Sequence, residues 1–172
     1  MVSQFNHAPG SEHWIAVRRI FRYLVGTKRM SLQYGTRTRN GTGGYSDADW
    51  GSGHDRKSIG GFVFLLNRGA ISWASKKQTS IALSTTEAES MGMTQAAKEI
   101  LWLHVLLDEI GALRLIAPIS TFNADNQGAI ALARNPDYHP RTEYIDIQYH
   151  FIRNLVTTNQ IPVQFCPSCH KL

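Results

Sequence analysis

At 172 residues, 42% of them apolar, the chain is long enough to bury a core of its own and has the composition of a globular domain with an appendage. No apolar run approaches the ~20 residues of a membrane span, and the polar start Met1-Val2-Ser3-Gln4-Phe5-Asn6-His7 is unlike a secretory leader, so neither a membrane-spanning nor a secreted protein is expected. A formal net charge of +5 favours polyanionic partners without naming one.

Trp14, Val17, Phe21 and Leu24 recur at three- and four-residue steps with Arg18, Arg19 and Arg22 between them, which predicts a basic amphipathic helix over Trp14 to Val25, with Ser11 as cap and Gly26 as stop. Such a helix serves equally as a phosphate-tracking surface or as a solvated face. Gly35 to Gly43 has turn residues and no apolar period, and reads as a linker. The expected domains are a connection segment over 1–40, a main domain over 41–165 and a tail over 166–172.

Three strands follow, Gly44 to Trp50, Ile59 to Leu66 and Ala70 to Lys76, the last two joined by the hairpin signal Asn67-Arg68-Gly69. Gly51 to Lys57 is a polar loop beside Asp47. The longest helix runs from Ser84 to Ile110 and closes at Gly111. A strand over Ile119 to Ala124, a helix over Gln127 to Arg134, a helix over Tyr144 to Thr157 and a strand over Ile161 to Phe165 complete the order. This order predicts an α/β fold: a mixed five-stranded sheet, three antiparallel strands first, flanked by helices. Cys166 and Cys169 are the only cysteines and lack a second ligand pair, so no structural zinc is expected there and the tail reads as disordered and reduced. Sparse cysteine use fits a reducing, intracellular compartment, with cytoplasm and nucleus both open.

Acidic residues in three contexts stand out from the basic background. Asp47 and Asp49 share one strand face by the period-two rule, and alternation does not choose between them; a strand ending at Ser46 would make both turn residues. Glu87 and Glu89 lie about 200° apart on a helix, so they cannot serve one site. Ser84-Thr85-Thr86-Glu87 matches a capping box, which gives Glu87 a structural task. Glu89 instead begins the stripe Met93, Ala96, Ile100, Leu103 and Leu107, the face a helix buries, where a carboxylate is costly unless paired or metal-bound. Asp125 stands where a strand gives way to a helix, as a ligand-facing residue or as an N-cap. A carboxylate cluster in a basic chain suits metal-assisted phosphodiester chemistry.

With these residues in place, the chain resembles the ribonuclease H domain of copia-type LTR retrotransposon Pol polyproteins. The resemblance is carried by Gly44-Tyr45-Ser46-Asp47-Ala48-Asp49-Trp50, Lys57-Ser58-Ile59-Gly60-Gly61, Ile71 to Gln78, Ser84 to Glu89, Ala124-Asp125-Asn126-Gln127-Gly128-Ala129-Ile130, and His139 to Thr142 through Tyr149 to Arg153. Residues Trp14 to Thr27 look like the segment that precedes the nuclease in such polyproteins. The resemblance implies a ribonuclease H-like fold and endonucleolytic cleavage of the RNA strand of RNA/DNA hybrids. It also implies Mg²⁺, with Mn²⁺ as substitute, held by Asp47, Glu89 and Asp125 as catalytic and metal-binding residues, one ion activating water and the other stabilising the leaving oxygen. On this reading Arg56, Lys57, Lys76 and Lys77 neutralise phosphates of the nucleic acid.

The chain also departs from the family pattern. A fourth Asp on a final helix after the fifth strand is absent, so the domain is expected to lack that helix, and with it some activity. Asp146 precedes the fifth strand and does not match that position, while Asp49 is the second acid of its motif; both rank below the trio as ligands. Glu143 and Tyr144 stand where relatives commonly carry Lys and His, and Gln148 where they often carry Arg, which lowers positive charge on that face. The alternative reading is a catalytically inactive, retrotransposon-derived domain that binds nucleic acid or a protein partner.

Overall fold

The computed structural model describes residues 2–34, 43–51, 55–112, 121–135 and 143–167. The chain divides into two units, Met1–Gln33 and Tyr34–Leu172. The first holds a 3₁₀ turn (Val2–Phe5) and helix α1 (Ser11–Thr27). Gly10 occupies the cap position and its N–H donates to Nδ1 of His13 at 2.8 Å, while the His13 ring stacks on Phe5 with centroids 4.0 Å apart. Ser11 is therefore the first helical residue rather than the cap. Gly26 lies within the helix, which runs on to a C-cap at Lys28. No residue of α1 is buried. The linker expected over Gly35 to Gly43 falls outside the described residues up to position 42.

The second unit contains β1 (Gly43–Ala48), β2 (Ile59–Leu66), β3 (Gly69–Lys77), α2 (Thr85–Glu109), β4 (Phe122–Ala124), α3 (Gln127–Arg134), α4 (Glu143–Thr157) and β5 (Val163–Phe165). They form one five-stranded sheet in the order β3-β2-β1-β4-β5, antiparallel between β1, β2 and β3 and parallel from β1 to β4 and β4 to β5. The β2–β3 hairpin turns on Asn67 and Arg68, whose φ angles of 48° and 71° are the pair of positive values that a two-residue turn twisted with its strands requires. Gly69 thus belongs to β3 and pairs with Leu66 rather than sitting in the turn.

Period-two alternation sends Gly44 and Ser46 of β1, Phe64 of β2, and Phe122 and Ala124 of β4 into the core. Helix α2 packs against β1 and β2, and α3 and α4 pack against α2. Phe64, Met93, Ile100, Phe122, Ile152 and Ile161 are buried together, each contributing on the order of 1.5–3 kcal/mol of apolar burial. The stripe Met93, Ala96, Ile100, Leu103 and Leu107 lies wholly on the buried face of α2. The Cys166 N–H donates to the Ala124 carbonyl at 2.9 Å, so sheet bonding continues one residue past the expected domain end at 165; Cys169 lies outside the described residues. No helix among the described residues is long and apolar enough to cross a membrane.

Gly44 decides how close the core comes to β1. A Cβ there would lie 2.2 Å from the Phe64 ring, which is itself fully buried and has nowhere to move. Gly44→Ala is therefore expected to cost about 1–3 kcal/mol through overpacking. Urea denaturation should show the unfolding free energy falling by that amount and the midpoint falling with it, and an unchanged midpoint would mean that Phe64 is not held against β1.

Candidate metal centre

The position of Glu89 follows from the end of one strand. Along β1 the N–H groups of Gly44, Ser46 and Ala48 point to the β4 side, as the bond from Gly44 N–H to the Thr121 carbonyl at 2.9 Å shows. Paired rungs with β4 involve only Gly44 and Tyr45, so the Ala48 N–H reaches past the end of the neighbouring strand. Glu89 meets it there, its Oε1 accepting that N–H at 3.1 Å.

Helix α2 passes over the end of β1 at Gly92, where a Cβ would make ordinary van der Waals contact. A Cβ at Gly92 would stand 3.5 Å from the Ala48 side chain and 3.6 Å from the Asp47 carbonyl, and one at Gly60 would stand 3.5 Å from the Gly92 Cα. Glu89 lies three residues before Gly92, on the same helix face, and so comes over the end of β1. Asp125 directly follows β4, the parallel neighbour of β1, so the two strands deliver their acids to the same end of the sheet. Asn126, not Asp125, caps α3: its side chain accepts the Ala129 N–H at 2.9 Å. Asp47, Glu89 and Asp125 each place one carboxylate oxygen within 4.8 Å of the others, with Asp47 exposed, Glu89 buried and Asp125 half-buried.

The neighbouring acids are used differently. β1 ends at Ala48, which leaves Asp47 as its last acid and Asp49 beyond it. Asp49 fastens the strand end instead: its carboxylate accepts the Ile59 N–H, and its own N–H donates to the Ile59 carbonyl at 3.0 Å. Ser84 Oγ accepts the Glu87 N–H at 3.2 Å, while a Glu87 carboxylate oxygen accepts the Leu83 N–H at 2.6 Å. This is the expected capping arrangement with its return bond shifted one residue toward the N-terminus. Asp146 lies on α4, and its side chain falls outside the described residues.

Three carboxylates this close demand compensation. Two unit charges 4–5 Å apart repel by roughly 1 kcal/mol in water and about 3–4 kcal/mol at the effective dielectric of a partly buried site. A bound cation would offset that repulsion, and three hard oxygen donors match Mg²⁺ or Mn²⁺ rather than a soft metal. The donor set therefore fits such an ion.

Of the basic residues, Arg56, Lys76 and Lys77 are exposed and Lys57 is half-buried. Lys77 pairs with Ile59 in the ladder, and Ile59 bonds to Asp49, so the cationic end of β3 lies at the acid-bearing end of the sheet, roughly 10 Å across two strand spacings. Lys77 also holds Asp55, Nζ to Oδ1 at 2.9 Å, and that hydrogen bond keeps the Asp55 carboxyl below the usual carboxylate range. Gly92 is not among the residues singled out from the sequence, and Trp50 enters there only as a strand end and as part of the family motif. A glycine in the middle of a long helix, costing about 1 kcal/mol relative to Ala, was the available signal for Gly92.

No family model matches the chain. Over 164 residues, 95% of the chain and 12% of the relative, it is 44% identical to the retrovirus-related Pol polyprotein from transposon TNT 1-94 of Nicotiana tabacum. It is 40% identical to the Pol polyprotein from transposon RE1 of Arabidopsis thaliana, over 94% of the chain and 11% of the relative. Its fold is that of a ribonuclease H1 isolated from compost by a metagenomic approach, with a TM-score of 0.52 at 14% identity over 75% of this chain and 86% of that one. The chain is homologous to a stretch of retrotransposon Pol polyproteins and has a ribonuclease H fold. It spans about an eighth of the length of the polyproteins it matches.

The two helix acids should separate cleanly by experiment. Glu89→Ala is expected to release the Ala48 amide to hydrogen exchange. Glu87→Ala should instead release the Leu83 amide and cost about 1 kcal/mol of stability through the helix cap. Exchange measured residue by residue checks both, and an Ala48 amide still protected in Glu89→Ala would show that the bond is not what holds it.

Proposed function

We propose that this domain cleaves the RNA strand of RNA/DNA hybrids, with Asp47, Glu89 and Asp125 holding divalent ions, Mg²⁺ or in its place Mn²⁺. The observation that carries this reading is the convergence of the three carboxylates within 4.8 Å at one end of a ribonuclease H fold. The ions, when bound, supply an activated water and charge stabilisation for the leaving oxygen. The chain's own residues supply the rest. Buried and tied to the Ala48 N–H, Glu89 presents its carboxylate in one orientation. Asp47 is exposed at the strand end and faces incoming substrate, and Asp125 closes the cluster from β4. Arg56, Lys57 and Lys76, with Lys77 steadied by Asp55, offer cationic contacts to phosphates on the β3 side, in keeping with the net charge of +5.

A hybrid-cleavage assay in Mg²⁺ and in Mn²⁺ tests the reading. Asp47→Asn should slow the parent rate about 100-fold or more, a loss of ~2.7 kcal/mol of transition-state stabilisation, and chelation of the metal should abolish cleavage. A parent no faster than Asp47→Asn in either metal would remove the enzymatic reading and leave a nucleic-acid-binding domain.

A further inference from the structure

Beside the acids lies a second feature, apolar and fixed in place. Trp50 follows Asp49 directly, and its indole Nε1–H donates to the Ala82 carbonyl at 3.1 Å, yet the side chain is 56% exposed. That bond seats the ring against the segment 81–83, where Ile81 and Leu83 are 50% and 76% exposed on either side of buried Ala82. The segment is anchored from below. Ala82 packs with Ala88, Met91 and Ala48, and the Leu83 N–H is held by the Glu87 carboxylate. On the other side, the Gly51 N–H donates to Oγ of buried Ser58 at 3.2 Å, which steadies the backbone just after Trp50.

Trp50, Ile81 and Leu83 thus form a small apolar platform whose polar groups are satisfied inward and whose apolar faces are left outward. Its footing is shared with the acids, because Ala48 gives its N–H to Glu89 and Ala88 precedes Glu89 in α2. It also shares an end of the sheet with Lys76 and Lys77, through the chain of neighbours Trp50, Asp49, Ile59 and Lys77.

We infer that this platform is a contact for the sugar and base edges of the nucleic-acid strand whose phosphate lies over the acids. The inference rests on the nuclease reading above and extends it to the substrate. Cations on the β3 side take phosphates, while an aromatic and two aliphatic side chains take the apolar parts of a strand, the division of labour common to single-strand and hybrid binding surfaces. A contact of this kind neutralises no phosphate and so releases no counterions.

Binding of a labelled RNA/DNA hybrid by the whole chain, with Ca²⁺ in place of Mg²⁺, the hybrid checked intact on a gel, and across a salt series, tests it. Trp50→Ala is expected to weaken binding about 10-fold, and Leu83→Ser several-fold, with the salt slope of the parent retained; Lys76→Ala should reduce that slope by about one. Leu83 is exposed, so its replacement leaves the fold intact, and thermal melting of both variants provides the check. Hybrid binding by the parent with unchanged affinity in Trp50→Ala and Leu83→Ser would overturn the platform alone and leave the patch to a protein partner. Absence of any salt-sensitive binding by the parent would overturn the nuclease reading and the platform together.

Discussion

One hydrogen bond, from the Ala48 N–H to Glu89 at 3.1 Å, joins the helix layer to the strand end on which the candidate site is built. It exists because β1 outlasts its pairing with β4, leaving a backbone donor that the sheet does not satisfy, and because α2 passes over Ala48 at Gly92. A buried backbone N–H without a partner costs about 1–3 kcal/mol, and a buried carboxylate without a partner costs more, so the two groups answer each other's requirement. Asp47 then needs only to be the next residue back along β1, and Asp125 the first residue past β4, for the acids to meet.

The acids that the site does not use make it possible. Asp49 closes the β1–β2 ladder through Ile59, which holds the strand end that presents Asp47. Glu87 and Ser84 fix the first turn of α2, which holds the start of the helix that presents Glu89. Each motif therefore pairs one acid that fixes backbone with another that faces the cluster, two residues apart in both cases. In a strand that spacing gives the same face, so only the strand's end separates Asp47 from Asp49. In a helix it gives nearly opposite faces, and geometry alone separates Glu87 from Glu89.

That difference explains what could be read in the sequence. The buried stripe of α2 and the capping role of Glu87 are local consequences of the helical period, and both were legible. The order of strands and helices was legible too, because apolar runs and turn residues mark it. Which of Asp47 and Asp49 faces the cluster was not a local matter: it depends on β1 stopping at Ala48 and on Ile59 lying opposite, and only the resemblance to a family pointed to Asp47. Asp125 and Asn126 are equally good caps by propensity, and tertiary placement gave the cap to Asn126. The hairpin was displaced by one residue because Arg68 accepts a positive φ that the sequence pattern assigns to Gly69. The setting of Trp50 lies in what it touches, the Ala82 carbonyl, which no local sequence pattern shows.

Asp47, Glu89 and Asp125 are proposed as one metal centre, and a crystal structure of the domain soaked in Mg²⁺ or Mn²⁺ is the decisive experiment. Ion density is expected at the end of β1, with oxygens of all three carboxylates at ~2.0–2.1 Å from Mg²⁺ and the Glu89 bond to Ala48 retained. Ions bound elsewhere, or a well-ordered site in which the three carboxylates turn away from one another and hold none, would contradict it.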